Sequence, residues 1–271
     1  GIQGCDDYAV PTKKEGILMV YLKIKRQDES REWYDSFEME ETPGMTVLEA
    51  LFYVQEHMDG SLCFRYACRG AVCGSCGMLI NRVPRLACRT QVGIAKKENT
   101  REGSDDIFVA GQKSEEENEV ILIEPLSNLK VIRDLVVDMD TFYTLVDSIK
   151  PWINSPEQHP EGGNLMSPDL REKIEKYTNC ILCACCHGAC PVAARDDTYL
   201  SPATLAKAWR MHLDPRENNA SRKERLDFVD SESGVWGCDL VYKCVAVCPK
   251  KVPPTIGIKA LREQIEKNKE K

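Results

Sequence analysis

Residues 180–191 read CILCACCHGACP, and residues 238–249 read CDLVYKCVAVCP. Laid one on the other, the two stretches share a frame. Positions 180, 183, 186 and 190 fall on 238, 241, 244 and 248, and a proline follows the last cysteine of each. Three of the four frame positions are cysteine in the second copy, and the fourth is Val241. Thiols this close in sequence converge on one point when a loop folds around it, whereas CxxC neighbours make poor structural disulfides.

The first stretch is C-x2-C-x2-C-x3-C-P, an iron–sulfur run in which the fourth cysteine crosses to the other cluster of a pair. Applied to both copies, the crossing gives one [4Fe–4S] site from Cys180, Cys183, Cys186 and Cys248. The other site receives Cys190, Cys238 and Cys244. Three thiolates and an apolar valine at the fourth corner suit a [3Fe–4S] cluster, which lacks one iron and is expected at a higher potential. The alternative is a [4Fe–4S] cluster with an outside fourth ligand. Cys185 breaks no spacing and reads as structural, with its side chain away from the cluster. His187 reads as a loop residue packed nearby.

Upstream, Cys68-RGAV-Cys73-GS-Cys76 is followed by Cys88 after eleven residues. This C-x4-C-x2-C…C spacing is that of a plant-type [2Fe–2S] cluster. Gly70, Gly74 and Gly77 let the backbone turn tightly and aim N–H groups at the sulfurs. A zinc knuckle is the alternative, but zinc sites favour two CxxC or CxxH pairs. Cys63 lies off the pattern and reads as a buried thiol; Cys5 is uninformative.

These three groups hold eleven of the fourteen cysteines in a chain of 271 residues. Secreted disulfide scaffolds are much shorter and spread their cysteines along the chain. Clusters also need reduced cysteines at assembly, which places the chain in a reducing compartment. A net charge of −7 argues against general nucleic-acid binding. The acidic stretch Glu115-Glu116-Glu117 with Glu119 reads as a solvated loop. No apolar run approaches the roughly 20 residues that span a bilayer, and the start, Gly1 to Asp7, has neither the basic end nor the apolar core of a secretory signal. Dinucleotide GxGxxG, phosphate-loop and HExxH motifs are absent, and no nucleophile–base pair stands out.

The length suggests two domains, residues 1–150 and 151–271. The first reads as mixed α and β. Ile17–Lys25 and Trp33–Met39 form a hairpin, and Thr46 caps a helix over Val47–Met58. Short strands follow at Met78–Ile80 and Val120–Glu124, then a helix from Asp140 to Ile149. Lys150–Ser167, rich in Pro and Gly, reads as a linker. The second domain reads as helical, over Pro168–Tyr177, Pro202–Leu213, Arg222–Phe228 and Pro254–Lys267. Ser167, Ser201 and Ser221 stand at N-cap positions.

Four stretches together resemble the iron–sulfur subunit of succinate dehydrogenase and quinol:fumarate reductase. They are YACRGAVCGSCGMLINRVPRLACRT (66–90), IRDLVVDMDTFY (132–143), CILCACCHGACP (180–191) and GVWGCDLVYKCVAVCPK (234–250). The resemblance implies an α+β fold: an N-terminal β-grasp, plant-type ferredoxin-like domain, then an all-α bacterial-ferredoxin-like domain. It implies a flavoprotein subunit with FAD, where succinate and fumarate interconvert, and a membrane-anchor cytochrome b subunit, often with haem b. Electrons would run between FAD, the three clusters and a quinone, at the cytoplasmic face of a bacterial inner membrane; a mitochondrial matrix face is the less favoured alternative. SIKPWINSPEQHPEGGNLMSP (148–168), with GVWGC, leans to the fumarate reductase branch. Quinone-site positions map onto Asp239, Leu240, Lys259 and Arg262, although a solvated helix face accounts for the last two equally well. Val192-Ala193-Ala194 and Asp239 stand where some succinate dehydrogenases carry tryptophans and a histidine, which favours menaquinone. A soluble, thiol-linked fumarate reductase is the rival reading of the whole.

Overall fold

A computed structural model describes residues 18–99, 120–155, 161, 163 and 165–270. The N-terminal stretch with Cys5, the acidic run at 115–119 and part of the 150–167 segment lie outside the described residues.

Strand β1 (Met19–Gln27) alternates as its sequence does, with Val20, Leu22 and Ile24 fully buried. It pairs antiparallel with β2 (Glu32–Glu40), from Met19 opposite Glu40 to Gln27 opposite Glu32. Helix α1 (Val47–His57) lays Val47, Leu48, Leu51 and Val54 into the core. Its start is a capping box: the Thr46 hydroxyl accepts from Glu49 N, and the Glu49 carboxylate accepts from Thr46 N. Strands β3 (Gly77–Ile80), β4 (Val83–Leu86) and β5 (Val120–Glu124) complete a sheet of order β2-β1-β5-β3-β4, with β5 parallel to β1. A helix packed on such a mixed sheet is the expected β-grasp arrangement.

Sequence periodicity passed over β4, helix α2 (Val92–Asn99) and the short pair β6 (Val131–Arg133) and β7 (Val136–Val137). Pro84 argues against a strand by itself, yet β4 is an edge, where a missing N–H costs no ladder bond. Asn81 and Arg82 make the tight turn into it, at φ of 51° and 65°.

Arg26, 2% exposed, continues the inward face of β1. Its guanidinium meets Asp35 at 2.9 Å, Asp134 at 3.0 Å, Ser61 Oγ at 2.9 Å and the carboxylate of Asp59. Bonds from the Ser61 hydroxyl and from Arg26 hold Asp59 down at about 2, against an ordinary 3.8. A carboxylate depressed in the folded state stabilises above the unfolded value and loses that contribution as pH falls through the folded one. Urea midpoints are therefore expected to fall between about pH 4 and pH 2, and Asp59→Asn to flatten that part of the profile.

Beyond α3 (Asp140–Ser148), the chain turns helical: α4 (Pro168–Thr178), α5 (Cys185–Gly188), α6 (Pro202–Leu213), α7 (Asn219–Val229), α8 (Lys243–Ala246) and α9 (Pro254–Lys269). α6 is central, packed on α4, α7 and α9. Ser167 and Ser201 cap α4 and α6 with Pro at the first helical position. α7 departs from expectation. Its cap is Asn218, whose Oδ1 accepts from Ser221 N at 2.8 Å, so the helix begins before Ser221. Asn218 Nδ2 also donates to Asn154 O, a partner that only tertiary structure supplies. The start of the expected linker is likewise strapped down. Buried Arg225 donates to the carbonyls of Ile149, Lys150 and Trp152.

The sequence repeat is visible in the backbone. Leu182 and Ala184 lead into α5 at φ of 53° and 58°; Leu240 and Tyr242 lead into α8 at 56° and 60°. α5 and α8 pack together, and a third cluster of Leu126, Val137, Phe142 and Val146 joins the first unit to Ala184 and Ala203.

Candidate metal centres

The first cysteine group sits on a loop between α1 and β3, with Cys88 contributed from just after β4. Backbone N–H groups point at its sulfurs: Gly70, Val72 and Cys73 donate to Cys68 Sγ at 3.4, 3.3 and 3.2 Å, and Ala71 donates to Cys88 Sγ at 3.3 Å. Of the three glycines expected to turn the loop, only Gly74 is left-handed, at +78°; Arg69 and Ala71 take the other two strained positions, both at 56°. Gly74 and Gly77 are needed for close approach instead. The Ser75 hydroxyl draws the Cys73 thiol down to about 6, while burial pushes Cys76, beside Cys88, up to about 12. Cys63 is half-buried rather than buried. It stands off this group, with its N–H on Asp134 and its thiol on Ser61 O.

Cys180, Cys183, Cys186 and Cys248 line one small apolar cavity, partly open to solvent, with Ala203, Ala206 and Val252 among its walls. Burial pushes the Cys180, Cys186 and Cys248 thiols up, and Val252 N donates to Cys248 Sγ at 3.3 Å. Cys185 is fully buried in the first core, and its neighbouring thiol draws Cys183 down to about 7. His187 is buried beside the group, Nε2 at 3.1 Å from Asn128 O and its ring edge-on to Phe142. Asn128 Nδ2 in turn donates to the carbonyls of His187 and Cys190.

Cys190, Cys238 and Cys244 make the third set; burial, and then the neighbouring Cys238, push the Cys190 and Cys244 thiols up. Leu240 N donates to Cys238 Sγ at 3.4 Å, and Cys244 Sγ lies 3.0 Å from Thr255 Oγ1. Val241 is 47% exposed at the outer corner. Among the described residues no three His, Cys, Asp or Glu side chains close to the spacing of a single ion. Thiols around a cavity, ringed by N–H donors but too open for one zinc, fit a multi-iron cluster.

The sets touch in series. A Cβ on Gly74 would lie 2.9 Å from Cys183 Cβ, and one on Gly77 would lie 3.0 Å from Cys183 O. α5, which bears Cys186 of the second set, in turn packs on α8, which bears Cys244 of the third.

Asp239 and Leu240 lie on the loop of the third set. Asp239 is held by a two-pronged pair with Arg195, at 2.7 and 2.8 Å, which sequence reasoning did not single out. Lys259 is exposed on α9. Arg262 instead turns inward, donating to the carbonyls of Val235, Trp236 and Cys238 with its guanidinium over the Trp236 ring, so it clamps that loop from behind.

Two family models match: a 2Fe-2S iron-sulfur cluster binding domain over residues 18–144 and a 4Fe-4S dicluster domain over 176–252. The chain is 34% identical over 244 residues to the fumarate reductase iron-sulfur subunit of Mycobacterium tuberculosis, covering 89% of this chain and 90% of the relative. It is 35% identical over 214 residues to that of Escherichia coli, covering 79% and 78%. In fold it is similar to a chain of the Mycobacterium smegmatis Sdh1 complex in the apo form, with TM-score 0.79 and 23% identity over 94% of this chain and 99% of that one. With cysteine sets, fold and relatives in agreement, the chain belongs to the family of fumarate reductase iron–sulfur subunits.

Proposed function

We propose that this chain carries single electrons between a flavoprotein subunit with FAD and a quinone, within a membrane-bound succinate/fumarate oxidoreductase. The favoured direction is menaquinol oxidation coupled to fumarate reduction. The observation that carries the reading is the serial contact of the segments bearing the three thiol sets, through Gly74 against Cys183 and through α5, which bears Cys186, packed on α8, which bears Cys244. As in its relatives, the chain is one subunit of an oxidoreductase and holds no complete active site. When bound, a [2Fe–2S], a [4Fe–4S] and a [3Fe–4S] cluster supply the one-electron sites.

The chain's own residues hold, insulate and bias those sites. Cys68, Cys73, Cys76 and Cys88 would hold the first. Cys180, Cys183, Cys186 and Cys248 would hold the second, and Cys190, Cys238 and Cys244 the third. Ala203, Ala206 and Val252 give the second set apolar walls. Backbone N–H groups at 3.2–3.4 Å from Cys68, Cys88, Cys238 and Cys248 offset negative charge on sulfur. Asp239, Leu240 and Lys259 would face the quinone, with Arg262 positioning the loop of the first two.

Among the described residues no helix is long and apolar enough to cross a membrane. Attachment to the cytoplasmic face of a bacterial inner membrane would come through an anchor cytochrome b subunit, with haem b there. Copurification tests this directly. Recovery with a haem-bearing apolar subunit is expected; a fully soluble complex without one would overturn the reading in favour of a thiol-linked enzyme.

Val241→Cys tests the three-iron assignment. A fourth thiol at that corner is expected to remove the low-temperature EPR signal of an oxidised three-iron cluster and to lower the centre's potential, because a thiolate adds ligand charge. Retention of the original signal at its original potential would count against Val241 as the deciding residue.

A further inference from the structure

The third thiol set differs from the second in what faces its sulfurs. Tyr199 is 1% exposed and heads the fully buried side chains of the molecule by volume. Its hydroxyl has no hydrogen-bond partner among the described residues, and it lies near the thiols of Cys238, Cys190 and Cys244. A buried phenol left so is destabilising unless it donates to something. The ring has little freedom to turn away. A Cβ on Gly237 would lie 3.3 Å from Tyr199 Cδ2, so the loop carrying Cys238 is laid against the ring.

Thr255, also 1% exposed, stands in the first turn of α9 with Oγ1 at 3.0 Å from Cys244 Sγ. A thiolate has no proton to give, so in the charged state only the threonine donates. The second set is served otherwise. No serine, threonine or tyrosine lines its cavity, and Val252 N donates to Cys248 Sγ.

We propose that Tyr199 and Thr255 are tuning residues of the third centre: their buried hydroxyls donate to Cys238 and Cys244 and raise that centre's reduction potential. The inference rests on the three-cluster reading. One electron arrives, no bond forms or breaks, and no proton is transferred. The added negative charge spreads onto the cysteine sulfurs, where donors already aimed at them in a dry site stabilise the reduced state more than the oxidised one. The chain thereby makes the last thiol set of the series, beside exposed Val241, the favoured resting place for an electron.

The test is a redox titration of the assembled complex followed by low-temperature EPR, with Tyr199→Phe, Thr255→Val and Thr255→Ser. At a fixed ambient potential, the reduced-to-oxidised ratio of the third centre is expected to fall about tenfold in Tyr199→Phe, equivalent to about 59 mV for a one-electron couple. Thr255→Val is expected to move it the same way, and Thr255→Ser to restore it. The first two centres serve as internal references and stay in place. An exchangeable deuteron coupling to the third centre in heavy water is expected to weaken in Tyr199→Phe. If the phenylalanine variant loses the centre, the Thr255→Val and Thr255→Ser pair decides. An unchanged midpoint in a variant that retains the signal overturns the proposal, whereas absence of a three-iron signal in the unaltered complex overturns the cluster reading itself.

Discussion

Gly74→Ala is expected to disconnect the first thiol set from the second and to destabilise the chain by roughly 2–5 kcal/mol, summing a left-handed alanine and an overpacked contact. Gly74 has φ +78°, and its missing Cβ would meet Cys183 Cβ at 2.9 Å, Cys183 Cα at 3.0 Å and Ile181 O at 3.1 Å. Two of these atoms are backbone and the third is fixed to it, so no flexible side-chain end can yield. The Cys73 and Cys183 loops must separate, and they are the join between the sets. Gly44→Ala is the control. Gly44 has nearly the same φ, +79°, with nothing within 4 Å of a Cβ, so it carries the backbone cost without the clash. Urea unfolding of both variants, and the magnetic interaction between reduced first and second centres, give the measurement. A Gly74→Ala protein as stable as Gly44→Ala, with that interaction intact, would show that the close approach does not matter.

The second large effect is expected from Arg26→Ala, at about 3–5 kcal/mol, the cost of leaving a buried charge unpaired. That charge is Asp134, 1% exposed. Its carboxylate accepts from Gln27 N at 3.1 Å and Cys63 N at 2.9 Å and pairs with Arg26. It thus ties the end of β1, the approach to the first cysteine loop and the β6–β7 turn into one knot. Arg26→Lys keeps the charge but loses the fork that reaches Asp35, Asp59, Ser61 and Asp134 together, so an intermediate loss is expected. Replacing Arg26 and Asp134 jointly with Met and Leu is expected to recover much of the stability, because apolar groups leave no charge stranded. Calorimetry at pH 7 reads all three. A loss under 1 kcal/mol in Arg26→Ala, the usual size for an exposed pair, would mean that water reaches Asp134.

Some of this protein is legible in its sequence, and the legible parts are local. The spacing of Cys180, Cys183 and Cys186 dictates how a loop must curl, and the offset at Val241 is a statement about one repeat frame. The same holds for the Thr46–Glu49 capping box and for Ser167-Pro168 and Ser201-Pro202, where cap and first turn are neighbours in the chain. Strand β4 was hidden by Pro84, because its tolerance depends on being an edge, which is a property of the whole sheet. The cap of α7 passed from Ser221 to Asn218 for a similar reason: Asn154, 64 residues away, completes it.

The sequence by itself determined that eleven cysteines fall into three sets and that one corner of the last set is a valine, since ligand spacing is short-range chain geometry. Only the tertiary structure decided what surrounds those sulfurs. It laid Gly74 against Cys183, buried Arg26 on three carboxylates, turned Arg262 onto the Cys238 loop and set Thr255 on the Cys244 thiol. Each of these joins residues from different elements, and which side chain reaches which sulfur depends on how whole helices and loops pack, a quantity that no local spacing encodes.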